Sequence, residues 1–74
     1  MSIEIELFGQ LIPHRQRRQT WEIQNPLPIR EVMDKLGLKD EEIGLISVNG
    51  VLSDPDELVH PGSRLCFFPP MSGG

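Results

Sequence analysis

The sequence predicts an α+β domain in which one amphipathic helix packs against a small sheet. Three features predict it: Ile3, Ile5 and Leu7 alternate with Glu4 and Glu6; Ile29, Val32, Met33 and Leu36 form an apolar stripe; and an Asn49-Gly50 turn precedes a last apolar run, Arg64-Leu65-Cys66-Phe67-Phe68. Alternation with period two gives a strand with one buried and one wet face. Spacing of i, i+3, i+4 and i+7 gives a helix with one apolar stripe. At 74 residues the chain is one domain with a small core, because a domain of this size buries only about 60% of the surface its unfolded chain exposes.

Taken in order, Ile3, Ile5 and Leu7 face the core, whereas Glu4, Glu6 and Phe8 fall on the wet face. Gly9-Gln10-Leu11-Ile12-Pro13 breaks the pattern, and His14-Arg15-Gln16-Arg17-Arg18 is expected to form a solvated, mobile hairpin tip. Thr20-Trp21-Glu22-Ile23 suits a second strand whose Trp21 and Ile23 reach the same core. Asn25-Pro26-Leu27-Pro28 then leads into the helix, since proline is tolerated in a first turn, and Gly37 ends it. A further helical turn is expected near residues 38–44, N-capped by Asp40 and packed through Ile43. Leu45-Ile46-Ser47-Val48 and Val51-Leu52 flank the Asn49-Gly50 turn, both of whose residues tolerate positive φ. Leu58 is expected to plug the core, and Pro61-Gly62 turns the chain into the last strand.

Composition excludes several function classes. Eleven acidic against seven basic residues give a formal charge of −4, opposite to the basic face that nucleic-acid binding needs. Cys66 is the sole cysteine, so no internal disulfide forms, which points to a reducing, cytoplasmic setting. Met1 to Glu6 has neither the basic nor the apolar region of a secretory leader, and no run approaches a membrane span, so no membrane partner is expected.

Catalytic groups are scarce. His14 and His60 fall in loops without a partner at triad spacing, and Asp54-Pro55-Asp56-Glu57 lacks the alternating ligands, central glycine and closing glutamate of a calcium loop, so no metal site is expected. Cys66 lies mid-strand, where a small buried or half-buried thiol is the ordinary expectation and nothing nearby marks a nucleophile.

What stands out is the ending Pro69-Pro70-Met71-Ser72-Gly73-Gly74. The prolines forbid continuation of the strand, so the tail must leave the sheet. Ser72, Gly73 and Gly74 carry no bulky side chain and suit a channel too narrow for a Cβ. Two final glycines arise by chance roughly 0.5% of the time. An α-carboxylate is ionised at neutral pH and a poor electrophile, so chemistry at Gly74 requires an activating partner with its own nucleotide site.

The element order, Val48-Asn49-Gly50, Leu58 with Pro61-Gly62-Ser63, and above all Phe67-Phe68-Pro69-Pro70-Met71-Ser72-Gly73-Gly74 resemble the ubiquitin-like sulfur-carrier family, and within it the small subunit of molybdopterin synthase and the thiamine sulfur carrier. That resemblance implies a β-grasp domain over residues 1–68, its first and last strands parallel neighbours at the sheet centre, and a flexible tail over 69–74. It further implies a protein co-substrate or the non-catalytic small subunit of a synthase, not an enzyme, which holds no cofactor. An E1-like adenylyltransferase would use ATP and magnesium to adenylate Gly74, a sulfur donor protein would convert it to a thiocarboxylate, and a synthase large subunit or another sulfur acceptor enzyme would receive the sulfur. Gly73, Ser72 and Met71 form the slim approach in this picture. Phe8 and Phe68 have the parity of the uncovered sheet face and are the expected partner contacts. Molybdopterin assembly fits the Phe-Phe-Pro-Pro ending best; thiazole synthesis, transfer-RNA thiolation, conjugation to lysines as a protein modifier, and a plain interaction module are the alternatives.

Overall fold

The computed structural model describes residues 1–71. Strand β1, Ser2–Leu7, buries Ile3, Ile5 and Leu7 completely. Strand β2, Arg18–Glu22, runs antiparallel to it with Trp21 opposite Ile3 and Arg18 opposite Glu6. Trp21 and Ile23 are half-buried against the core, as their shared parity predicts.

The two-residue strand β3, Leu27–Pro28, leads directly into helix α1, Ile29–Leu36. The helix buries Ile29, Val32 and Met33 and ends at Gly37, whose φ of 73° lets its N–H turn back to the Asp34 and Met33 carbonyls. No side chain caps its start. Instead the Ile29 N–H donates to the Glu57 carbonyl at 2.9 Å and the Arg30 N–H to the Pro55 carbonyl at 2.8 Å. The acidic loop 54–57 therefore serves the helix through its backbone, satisfying donors that every helix start leaves open.

A 3-10 turn, Asp40–Glu42, follows. Its cap position is Lys39, not Asp40: the Glu42 carboxylate accepts from the Lys39 N–H at 2.9 Å, while Asp40 is drawn to Arg30 at 3.0 Å. Ile43 packs against the core. Strands β4, Leu45–Val48, and β5, Val51–Leu52, close the hairpin through Asn49 and Gly50, at φ 52° and 83°. Strand β6, Leu58–Val59, pairs with β3, and it corrects the expected plug. Leu58 is 50% exposed and Val59 is fully buried. A two-residue strand has too few positions for alternation to reveal which one points inward.

Strand β7, Arg64–Phe68, completes a five-stranded sheet of order β2-β1-β7-β4-β5. It is parallel to β1 and antiparallel to β4, so the first and last strands are central neighbours, the β-grasp arrangement that the resemblance implies. Paired residues share a face. Ile5 with Leu65, Leu7 with Phe67, and Ile46 with Phe67 meet the helix in one core. The other face carries Glu6 beside Cys66, Ser47 beside both Cys66 and Leu52, and Leu45 beside Phe68. No helix among the described residues is long and apolar enough to cross a membrane.

Candidate functional site: the uncovered sheet face and the base of the tail

On the uncovered face, Phe8 continues the line of β1, donating its N–H to the Phe67 carbonyl at 3.1 Å with extended φ and ψ. That places its ring on the ring of Phe68, with centroids 4.4 Å apart and planes 11° from parallel. Offset or stacked aromatic pairs contribute about 0.5–1.5 kcal/mol beyond their buried area. Both rings remain half-buried, and Leu45, paired with Phe68, is 46% exposed. These three side chains make an apolar patch on a sheet face that no other element among the described residues covers.

Next to this patch lies an ionic cluster that parity alone did not reveal. Glu6 was expected to be solvated; it is only 4% exposed. Its carboxylate accepts from the Arg64 guanidinium, and Arg18 and Arg17 approach its second oxygen at 3.4 and 3.6 Å. A carboxylate is tolerated out of water when opposite charges and hydrogen bonds compensate it. The Arg64 hydrogen bond, helped by the charge of Arg18, holds Glu6 below the usual glutamate range against the upward push of burial. Cys66, opposite Glu6 in the register, is a buried free thiol.

The basic run also differs from the expected mobile tip. Leu11, in a 3-10 turn at Gly9–Leu11, is buried, and Arg15 reaches across to the helix end. Its Nε donates to the Leu36 carbonyl at 3.0 Å, Nη2 to the Gly37 carbonyl at 3.0 Å and Nη1 to the Leu11 carbonyl at 3.1 Å. Arg15 thus caps α1, and Arg17 and Arg18 serve Glu6.

At the end of β7 the Gly44 N–H donates to the Phe68 carbonyl at 2.8 Å. Pro69 then offers no N–H, Pro70 is exposed and Met71 is 90% exposed. The tail therefore departs from the residue that carries half of the aromatic pair. Ser72, Gly73 and Gly74, on which the expected chemistry falls, lie outside the described residues.

Elsewhere, His14 and His60 are exposed in loops. Among the described residues no group of three or more His, Cys, Asp or Glu is placed to hold a metal. An open groove of about 490 Å³ between α1, β4, β5 and the 54–57 loop is lined by Met33, Ile43, Leu52 and the acids Asp40, Asp54 and Glu57, without a histidine or cysteine among them.

The ThiS family model matches residues 5–74, a span that takes in the aromatic pair, the proline pair and the final glycines. The chain belongs to the ThiS family. It is a ubiquitin-like member of the sulfur-carrier type that the tail and strand order resemble. Solved structures share the fold of this ThiS-family chain. SAMP1 from Haloferax volcanii superposes with a TM-score of 0.74 at 24% identity, over 100% of both chains. A putative molybdopterin converting factor subunit 1 from Pyrococcus furiosus gives 0.70 at 18%, over 96% of this chain and 99% of the other. In the complex of subunits 1 and 2 of molybdopterin-converting factor from Helicobacter pylori, the matching chain gives 0.66 at 20%, over 100% of both chains. Comparison with curated proteins gives no match.

Proposed function

We propose that the chain is a sulfur carrier that works as a protein co-substrate. The family match across residues 5–74, with Gly73-Gly74 as its last two residues, carries this reading. In it, an E1-like enzyme joins the Gly74 carboxylate to the adenylyl group of ATP with magnesium, releasing pyrophosphate. Sulfide released by a sulfur donor protein then attacks the acyl-adenylate carbonyl carbon, forming the C–S bond and expelling AMP, which leaves a thiocarboxylate on Gly74. Sulfur is softer and more nucleophilic than the oxygen it replaces, so the group can attack an acceptor and be passed on. The carrier supplies no catalyst or cofactor of its own; ATP and magnesium belong to the activating partner.

The domain's own residues contribute docking and presentation. The Phe8–Phe68 pair, with Leu45, offers an apolar surface for the activating enzyme and then for the acceptor. Met71, Ser72 and Gly73 form the slim lead to Gly74. Molybdopterin assembly is the preferred destination, supported by the likeness to molybdopterin converting factor subunit 1 and by the subunit 1 and 2 complex, whose second chain is the kind of large subunit expected as acceptor. Chemistry of this type belongs in the reducing cytoplasm, where a thiocarboxylate and the free Cys66 both persist. A second reading, conjugation to lysines, is favoured by the likeness to a small archaeal modifier protein.

Intact mass after incubation with the E1-like partner, ATP and a sulfur source is the test. The expected product is heavier by the difference between sulfur and oxygen, and a chain lacking Gly74 does not form it. Equal sulfur uptake without Gly74 overturns the reading. Higher-mass conjugates resistant to reductant favour the modifier reading instead.

A further inference from the structure

The glycines of this domain are present for different reasons, and the difference singles out two of them. A Cβ at Gly37 or Gly50 would meet nothing within 4 Å; φ values of 73° and 83° explain those residues as turn formers. Gly44 has no positive φ, yet a Cβ there would fall 2.6 Å from the Pro69 oxygen, 2.6 Å from the Pro70 Cα and 2.8 Å from the Pro70 nitrogen. All three are backbone atoms, so no side-chain rotation relieves the clash. On the opposite flank of β7, a Cβ at Gly9 would lie 3.0 Å from the Pro69 Cγ and 3.6 Å from its Cδ. The peptide joining Pro69 to Pro70 lies on the bare Cα of Gly44, and the Pro69 ring lies beside Gly9.

We propose that Gly44 and Gly9 form a collar that sets the direction in which the tail leaves the domain, and that the rate of reaction at Gly74 depends on that direction. The second clause rests on the sulfur-carrier reading above. Neither Pro69 nor Pro70 has an N–H to bind the sheet, so the Gly44 bond to the Phe68 carbonyl is the last ladder anchor. Past it, the fixed φ of each proline and the close approach to the two glycines determine the exit axis. A change of direction at the collar shifts where the tail starts toward a partner's site, and misplacement of about 1 Å can cost about 100-fold in rate. Gly44 and Gly9 are positioning residues; neither touches a reacting atom.

The experiment compares the full chain with Gly44→Ala, Gly9→Asn and Gly37→Ala. Asparagine is chosen at Gly9 because it tolerates the φ of 58° while adding the Cβ that meets Pro69. Gly37→Ala strains the backbone at an open site away from the tail and controls for lost stability alone. For Gly44→Ala, nuclear Overhauser contacts of Pro69 and Pro70 to residues 9 and 44 should change while core amides of β1 and β7 stay protected. In thiocarboxylation by the activating enzyme, KM should stay within about twofold, because the Phe8 and Phe68 rings themselves are unsubstituted, and kcat should fall tenfold or more. Gly9→Asn should move both readouts the same way by a smaller factor, about threefold in kcat, and decides the matter if Gly44→Ala does not fold. Gly37→Ala should keep the wild-type kcat.

Unchanged proline contacts in a folded Gly44→Ala or Gly9→Asn chain overturn the collar, as does an unchanged kcat, or an equal kcat loss in Gly37→Ala. Failure of the wild-type chain to take up sulfur overturns the sulfur-carrier reading instead, and the proline contacts still test the geometry.

Discussion

Removing the Arg15 side chain tests whether the basic run is part of the fold. Arg15 donates to the carbonyls of Leu36, Gly37 and Leu11 at 3.0, 3.0 and 3.1 Å, and its side chain is 21% exposed. Leu36 and Gly37 are at the helix end, where carbonyls lack intrahelical partners. A hydrogen bond from a charged donor contributes about 1.5–3 kcal/mol where its loss leaves the acceptor dry. Water can reach part of this site, so the three bonds fall well short of their sum. A cation at a helix C-terminus adds about 0.3–1 kcal/mol, and the Glu42 contact at 4.0 Å adds little. Arg15→Ala should therefore cost about 2 kcal/mol in all. For a domain of this size each kcal/mol moves Tm by about 4–8 °C, so melting followed by circular dichroism should drop by about 10 °C. Arg15→Lys keeps the charge without the fork and should recover less than half of the loss. A change below about 2 °C in Arg15→Ala would refute the capping role and restore the solvated tip.

Glu6 gives a pH signature. Its folded-state pKa is lowered, chiefly by the Arg64 hydrogen bond, so its contribution is complete above the unfolded value of about 4.3 and disappears as pH falls through the folded value. The stability gap between wild type and Glu6→Gln, from urea unfolding, should be constant above about pH 5 and narrow below about pH 4.3; a gap independent of pH contradicts the ion-pair account. Phe8→Ala should cost about 0.5–1.5 kcal/mol of stability through the lost ring stack. By calorimetry it should weaken binding to the activating enzyme about tenfold or more, as an aromatic anchor does, and unchanged affinity would remove the aromatic pair from the docking surface.

The parts of the fold legible in the sequence are those where one pattern repeats often enough to be unambiguous. Four apolar positions at helical spacing and a terminal glycine give α1 its observed bounds, and the Asn49-Gly50 pair gives its hairpin. The parity of Phe8 and Phe68 gives their shared face, and the structure adds that the rings stack. What was illegible depends on distant partners or on backbone atoms. Glu6 is buried because Arg64, 58 residues away, folds onto it. Arg15 finds helix carbonyls 21 and 22 residues on. The 54–57 loop caps α1 through the Pro55 and Glu57 backbone carbonyls, which a residue of any type would supply. The carboxylates there do not cap the helix: Asp56 accepts from the Arg30 guanidinium and Glu57 from the Asp54 N–H, each at 3.2 Å.

Phe68 ties the two halves of the site together. Its carbonyl takes the Gly44 N–H, its ring stacks on Phe8, and the next residue is Pro69, where the tail begins. A partner gripping the aromatic pair would thus hold a point one residue from the collar. The fixed φ of Pro69 leaves little slack between grip and exit. Docking energy gained on the sheet face would then also orient the tail, converting affinity for the domain into proximity at Gly74. A long flexible linker between dock and tail would lose that conversion, because its end would explore a larger volume at lower effective concentration. On this reasoning, glycines inserted between Phe68 and Pro69 should leave affinity for the partner intact while lowering kcat, since they separate what Phe68 joins.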